Sequence, residues 1–229
     1  LEKEGMLPHM AIVAEPTCEA VFGDALKIGR RGSINGVLEL FGVQGHAAYP
    51  EKARNTLHLM APRLARLAGH CFDVGDGHFA PSQLVLTDLR SGMEVTNVSP
   101  GYLKLMFNVR NATTTTKEDV EAYVNGVMEG LDFTLKLSQG ALPFVADATS
   151  PIVQALDKAI AKVTGRTPKH STAGGTSDAR FLAQFGIQTV EFGVVNDTIH
   201  APNERTPLED VQALADVFLH VIEHLKEKQ

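Results

Sequence analysis

The most constraining stretch is residues 102–110, Tyr-Leu-Lys-Leu-Met-Phe-Asn-Val-Arg, where Leu103, Leu105, Phe107 and Val109 occupy alternate positions. Successive side chains on a strand point to opposite faces, so this pattern calls for a half-buried β-strand. The periodicity changes on either side of it. Residues 37–43 read as a strand, Leu57, Met60, Leu64 and Leu67 recur at helical spacing, and residues 84–89 read as a second strand before Ser91-Gly92 opens a connection. Thr115 with Glu118 forms a capping box for a helix bearing Val120, Val124, Val127 and Leu131, and Phe133, Leu135 and Leu137 then alternate in a last strand. Strand, helix, strand, strand, helix, strand is the split βαβ or ferredoxin-like unit (βαββαβ), one antiparallel sheet with both helices on one face. Residues 34–139 are expected to form this α+β domain, inserted between residues 1–33 and 140–229 of a partial α/β domain.

The flanks carry weaker signals. Residues 10–14 read as a buried strand and residues 25–33 as another; residues 190–195 form an apolar run with Glu191 inside it. Ser150-Pro151 opens a helix with Ile152, Leu156, Ile160 and Val163 on one face, and Gly165 closes it. Phe181, Leu182 and Phe185 mark a short helix stopped by Gly186, and Val211, Leu214, Phe218, Val221 and Leu225 form the apolar stripe of a final helix. That makes three helices for two or three convincing strands, against the roughly five or six of a usual sheet. The first residue is Leu, and a strand follows almost at once. The expectation is a piece of a longer polypeptide, with most of an α/β domain preceding residue 1.

Charge and cysteine usage narrow the function. A formal net charge of -6 argues against nonspecific nucleic-acid binding, because that binding rests on neutralising phosphates. No apolar run approaches the roughly 20 residues of a membrane-spanning helix, and the first six residues lack a signal-peptide pattern, so the expectation is a cytoplasmic protein with no membrane partner. Cys18 and Cys71 stand far apart in no metal or redox spacing and read as free thiols.

Candidate chemistry sits in loops. His200 lies in Val194-Val195-Asn196-Asp197-Thr198-Ile199-His200-Ala201-Pro202-Asn203-Glu204, ahead of a helix start at which Thr206 can cap, Pro207 suits the first position and Glu209 completes a capping box. A neutral imidazole there can ligate a metal or act as a general base, or be an ordinary loop residue. Glu15 ends the Ile12-Val13-Ala14 run, where α/β sheets place ligand groups. Arg30 and Arg31, between glycines, suit carboxylate recognition or a solvated turn. His46 and Tyr49 follow the first strand of the inserted unit, and Asn97 sits in a turn before its third. The run Thr172-Ala173-Gly174-Gly175-Thr176-Ser177-Asp178 enters a helix and reads as an anion site, better suited to carboxylate than nucleotide because it lacks the P-loop lysine.

Ala14-Glu15-Pro16-Thr17, Gly29-Arg30-Arg31-Gly32-Ser33, residues 42–50, Asn97-Val98-Ser99-Pro100, residues 174–181 and residues 199–204 occur in an order that resembles the co-catalytic di-zinc deacylases and carboxypeptidases. Within that family the double-arginine turn and Gly45-His46-Ala47-Ala48-Tyr49-Pro50 look like the desuccinylase branch. The resemblance implies that residues 34–139 are a lid and homodimerisation domain in a zinc-binding catalytic domain. It implies two zinc ions per full-length subunit, with Glu15 on one and His200 on the other. His46 would reach the partner subunit's site to stabilise an oxyanion. Arg30, Tyr49, Asn97, Arg110, Gly175, Thr176 and Asn196 match substrate-contacting positions, and the implied reaction is hydrolysis of the amide of N-succinyl-L,L-2,6-diaminopimelate to succinate and diaminopimelate by a zinc-activated water. The chain departs from the family pattern in lacking the His-x-Asp pair, the bridging Asp and the Glu-Glu pair, and Thr96 and Ser99 differ from the pattern at the Asn97 turn. This chain alone is therefore expected to be inactive and to bind zinc weakly or not at all. Acetylornithine deacetylase or dipeptidase activity is the alternative within the family, and a noncatalytic dimerisation module the alternative outside it.

Overall fold

The computed structural model describes residues 5–226; the expectations for residues 1–4 lie outside them. Along the chain run β1 (Met10–Val13), β2 (Ala25–Lys27), β3 (Gly29–Arg30), β4 (Ser33–Phe41), β5 (Gly45–His46), α1 (Thr56–Leu67), β6 (Gln83–Ser91), β7 (Val98–Ser99), β8 (Tyr102–Arg110), α2 (Lys117–Met128), β9 (Asp132–Ala141), β10 (Phe144–Val145), α3 (Pro151–Thr164), β11 (Lys169–Ser171), α4 (Ala179–Ala183), β12 (Gln188–Glu191) and α5 (Leu208–Lys226). Contacts divide these elements into two units, Gly32–Leu142 and the segments on either side of it.

The central unit contains one antiparallel sheet in the order β6-β8-β4-β9. Leu103, Leu105, Phe107 and Val109 of β8 are buried in one cluster with Ile34, Leu38 and Leu40 of β4, Met60 and Leu67 of α1, and Val120, Val124 and Val127 of α2. Both helices thus cover one sheet face, as the alternating pattern requires. Leu57 is 41% exposed, off the helical stripe that its spacing suggests. Gly36 lies opposite Phe107, and a Cβ there would meet the Phe107 ring at 2.1 Å, so the ring takes the space a side chain would need.

The cap of α2 differs from expectation by one position. The box is made by Thr116 and Asp119, not Thr115 and Glu118. Thr115 is committed elsewhere: its hydroxyl donates to Asp73 at 2.6 Å. Asp73 also accepts from the backbone N–H groups of Gly75 at 2.9 Å and Ser82 at 3.0 Å and from Thr114 Oγ1 at 3.2 Å, tying the 70–82 loop to the start of α2. Burial opposes the ionised carboxyl, but these donors outweigh it and hold Asp73 well below the usual carboxylate range. A depressed carboxyl contributes stability that is complete above the unfolded value near 4 and is lost as pH falls toward the folded value. Asp73→Ala is expected to cost about 2–3 kcal/mol at pH 7, since bonds to a charged group are lost together. In denaturant melts the gap between the two forms should begin to narrow below about pH 4 and keep shrinking as pH falls toward the folded value; a gap independent of pH would refute the charge argument.

The flanking unit has a mixed sheet in the order β1-β12-β2-β11, with β1 parallel to β12, β12 antiparallel to β2, and β11 parallel to β2. A short β3–β10 ribbon adds to it. β10 and β11, of two and three residues, are too short to show periodicity. β1 is half-buried rather than buried, because among the described residues it pairs only with β12 and forms an edge. Leu26, Ile28, Val190 and Phe192 pack against Ile152, Leu156 and Ile160 of α3 and Val217 and Val221 of α5. The αL cap at Gly165, φ +70°, ends α3 as its position after the apolar run suggests.

α5 begins at Leu208, with Pro207 just outside the helix accepting from Asp210 and Val211. Thr206 therefore falls one place short of the cap, within the usual scatter of helix ends. Leu214, Val217, Phe218, Val221 and Leu225 face the core, but Val211 is 45% exposed and joins Leu208, Leu219 and Ile222 in a second, outward stripe. Cys18 is buried and Cys71 exposed, both as free thiols. Among the described residues no helix is long and apolar enough to cross a membrane.

Candidate active site

In the flanking unit the parallel neighbours β1 and β12 release their loops at the same end of the sheet. The amides of Thr17 and Cys18 donate to Val194 O at 3.0 and 3.2 Å, Asn196 N donates to Cys18 O at 3.0 Å, and Gly193 N donates to Thr17 Oγ1 at 3.0 Å. A Cβ at Gly193 would lie 2.2 Å from Glu15 O, so only glycine permits this approach. Glu15, Asn196 and His200 are thereby brought to one cavity of about 360 Å³, together with Lys27, Arg30 and Thr176. His200 and Asn203 both hold φ +61°, a left-handed backbone uncommon for non-glycine residues. Thr198 closes the neck of the loop through two bonds with the Arg205 backbone, at 2.9 and 3.1 Å.

The cations of the cavity wall are already matched. Lys27 is buried, with Nζ 2.9 Å from Glu19 Oε1 and 3.2 Å from Ser171 Oγ. Arg30 places Nε 2.8 Å from Oε2 of the fully buried Glu191, donates to the same oxygen through Nη2, and donates from Nη1 to Ala173 O at 2.8 Å. These bonds use three of the five guanidinium N–H groups and leave two uncommitted. Gly174, at φ +116°, lies so close beneath Arg30 that a Cβ would be 2.1 Å from Nη1. The glycine-rich run is therefore a seat for Arg30. The following α4 has only five residues and sums few peptide dipoles, so the expected helix-terminus anion site is corrected to a loop held by arginine.

Glu15 and His200 differ from the cations in being uncommitted. Neither side chain has a hydrogen bond or ion pair among the described residues, and both line the cavity. They are two metal-type donors, whereas zinc takes four ligands, or three and a water. Among the described residues no group of three or more His, Cys, Asp or Glu could hold a metal ion. The residues present do not by themselves fit a zinc centre.

His46, Tyr49 and Asn97 come together in the central unit. His46 pairs with Val98, Ala47 N donates to Asn97 O at 2.9 Å, and the His46 and Tyr49 ring centroids are 5.8 Å apart. Ala48 N donates to His46 Nδ1 at 3.0 Å, and Lys52 Nζ lies 4.7 Å from the Tyr49 ring centroid. Arg110 is not gathered with them: it ends β8, the nine-residue strand whose other end, at Gly101 and Tyr102, adjoins the His46 loop. Sequence reading also passed over Lys27, Glu19 and the pairing role of Glu191. The signal was available, because a charged residue inside a buried strand must have a partner.

Residues 28–132 match the model of the peptidase dimerisation domain M20_dimer. The chain is 64% identical over 97% of its length to the succinyl-diaminopimelate desuccinylase of a Nitratiruptor species and 61% identical over 98% to that of a Sulfurovum species. It spans 61% of the length of each of these relatives. In fold it is similar to aminopeptidase PepT from Bacillus cereus, with TM-score 0.83 at 21% identity over 99% of this chain and 60% of that one. The M20 family metallo-carboxypeptidase Sso-CP2 from Sulfolobus solfataricus matches with TM-score 0.67 at 16% identity, over 94% of this chain and 63% of that one.

Proposed function

The chain carries an M20 peptidase dimerisation domain and is a homologue of succinyl-diaminopimelate desuccinylases along nearly its whole length, and from that premise we propose that it forms part of a zinc-dependent desuccinylase. The reaction is hydrolysis of the amide of N-succinyl-L,L-2,6-diaminopimelate to succinate and diaminopimelate. The observation that carries this reading is the convergence of Glu15 and His200, both uncommitted, on the cavity that also holds Asn196 and Thr176. Glu15 serves one zinc and His200 the other. The remaining ligands and the general base come from the part of the relatives' length that this chain does not span. The outward stripe of α5 and the edge of β1, unpaired among the described residues, support further chain packing against this unit.

Arg30, through its two free N–H groups, acts with Gly175, Thr176 and Asn196 on the substrate's polar groups. The central unit is the lid and homodimer contact. From it Tyr49, Asn97 and Arg110 reach substrate, and His46 offers an N–H to the oxyanion in the partner subunit's site, where a fixed donor stabilises developing charge.

The test compares turnover of succinyl-diaminopimelate, acetylornithine and dipeptides by the full-length zinc-loaded polypeptide. A site built around the succinyl carboxylate should prefer its substrate by roughly 10³-fold or more in kcat/KM. Equal or better turnover of the acetylated substrate or a dipeptide would overturn the substrate assignment.

A further inference from the structure

His46 and His200 are both loop histidines, but the structure treats their ring nitrogens differently. His200 has both uncommitted among the described residues. At His46 the backbone N–H of Ala48 points at Nδ1 from 3.0 Å. An amide N–H can only donate, so Nδ1 must be the unprotonated acceptor, and the proton of a neutral ring must then sit on Nε2.

We propose that the Ala48 backbone amide is a positioning group that fixes His46 as the Nε2–H tautomer, making it an N–H donor and excluding it as a general base or metal ligand. The surrounding backbone over-determines the arrangement. Three successive amides are spoken for: Ala47 N by Asn97 O at 2.9 Å, Ala48 N by the imidazole, and Tyr49 N by His46 O at 2.9 Å. Pro50 follows without an N–H, so the turn has no further donor to offer. The β5–β7 pairing holds the His46 backbone against Val98, and the Tyr49 ring lies beside the imidazole. Turning the ring over would put a C–H against the Ala48 amide and forfeit its bond.

With Nδ1 occupied and Nε2 protonated, neither nitrogen of the neutral ring has a free lone pair. His46 is exposed, so its Nε2–H is available to an incoming oxygen. That is the donor an oxyanion needs, and the use of the proton, though not its location, rests on the role proposed above for His46.

The test has a spectroscopic arm and a kinetic arm. In the chain labelled with ¹⁵N at His and Ala, at about pH 8 where an ordinary histidine is neutral, His46 should show an unprotonated Nδ1 and a protonated Nε2. A scalar coupling across the hydrogen bond should join Nδ1 to the Ala48 amide nitrogen. Ala48→Pro removes the donor, should abolish the coupling, and should shift the population toward the Nδ1–H form. A protonated Nδ1, or no coupling, in the unsubstituted chain overturns the proposal whether or not the proline variant folds.

The kinetic arm uses the full-length polypeptide. His46→Gln places an amide N–H near the Nε2 position, whereas His46→Asn reaches only the Nδ1 position. The glutamine variant should retain at least tenfold more kcat than the asparagine variant. Equal losses, with the tautomer signature intact, would remove the oxyanion role and leave the tautomer assignment standing.

Discussion

Glu191→Ala is expected to destabilise the flanking unit by about 3–5 kcal/mol, the usual result of removing one partner from a buried ion pair. Glu191 is fully buried, and its Oε2 receives both Nε and Nη2 of Arg30. Its removal leaves a guanidinium with 7% exposure and no counter-charge. For a domain whose stability is roughly 5–15 kcal/mol, that is a large fraction. The damage should spread along one route, because Arg30 also donates to Ala173 O and rests on Gly174. Hydrogen exchange should therefore accelerate at residues 173–176 before the β4–β8 sheet responds. Replacing both partners together, as Arg30→Met with Glu191→Leu, should cost far less than Glu191→Ala, since no buried charge is stranded. Denaturant melts measure both; a single-variant loss under about 1 kcal/mol would show that the pair is not a structural clamp.

Turnover of succinyl-diaminopimelate by the 229-residue chain with added zinc is expected to fall on the order of 10⁴-fold or more below that of the full-length polypeptide, because the groups acting on the amide work as a unit. Glu15 and His200 can present two donors; Glu19 lines the same cavity but is paired with Lys27, and among the described residues no group of three or more His, Cys, Asp or Glu could hold a metal ion. Calorimetric zinc titration should show binding well short of the roughly 10 kcal/mol or more of a closed structural site. His200→Ala in the full-length polypeptide should lower its zinc content. Turnover by the short chain within tenfold of the long one would sink this reading of the site.

Legibility differed between the two units for physical reasons. In β8, each second residue meets the same core, so Leu103 to Val109 announced both strand and face. In α5, Val211 satisfied helical spacing yet lies outside the core, because the helix carries apolar residues on two faces and spacing alone does not choose between them. Thr115 looked like the cap because its side chain is chemically suited to it. The distant Asp73 claims that hydroxyl, and Thr116 takes the role.

By itself the sequence determined the order of elements in the central unit and the residue types at each candidate position, since these follow from local periodicity and side-chain chemistry. Only the tertiary structure decided which groups remain free to act. Arg30 and Glu191, 161 positions apart, neutralise each other, while Glu15 and His200 are brought uncommitted to one cavity and the Ala48 amide assigns the proton of His46. The reason is that a donor or acceptor is spent by whatever partner the fold brings within about 3 Å, and that distance is not written in the order of the residues.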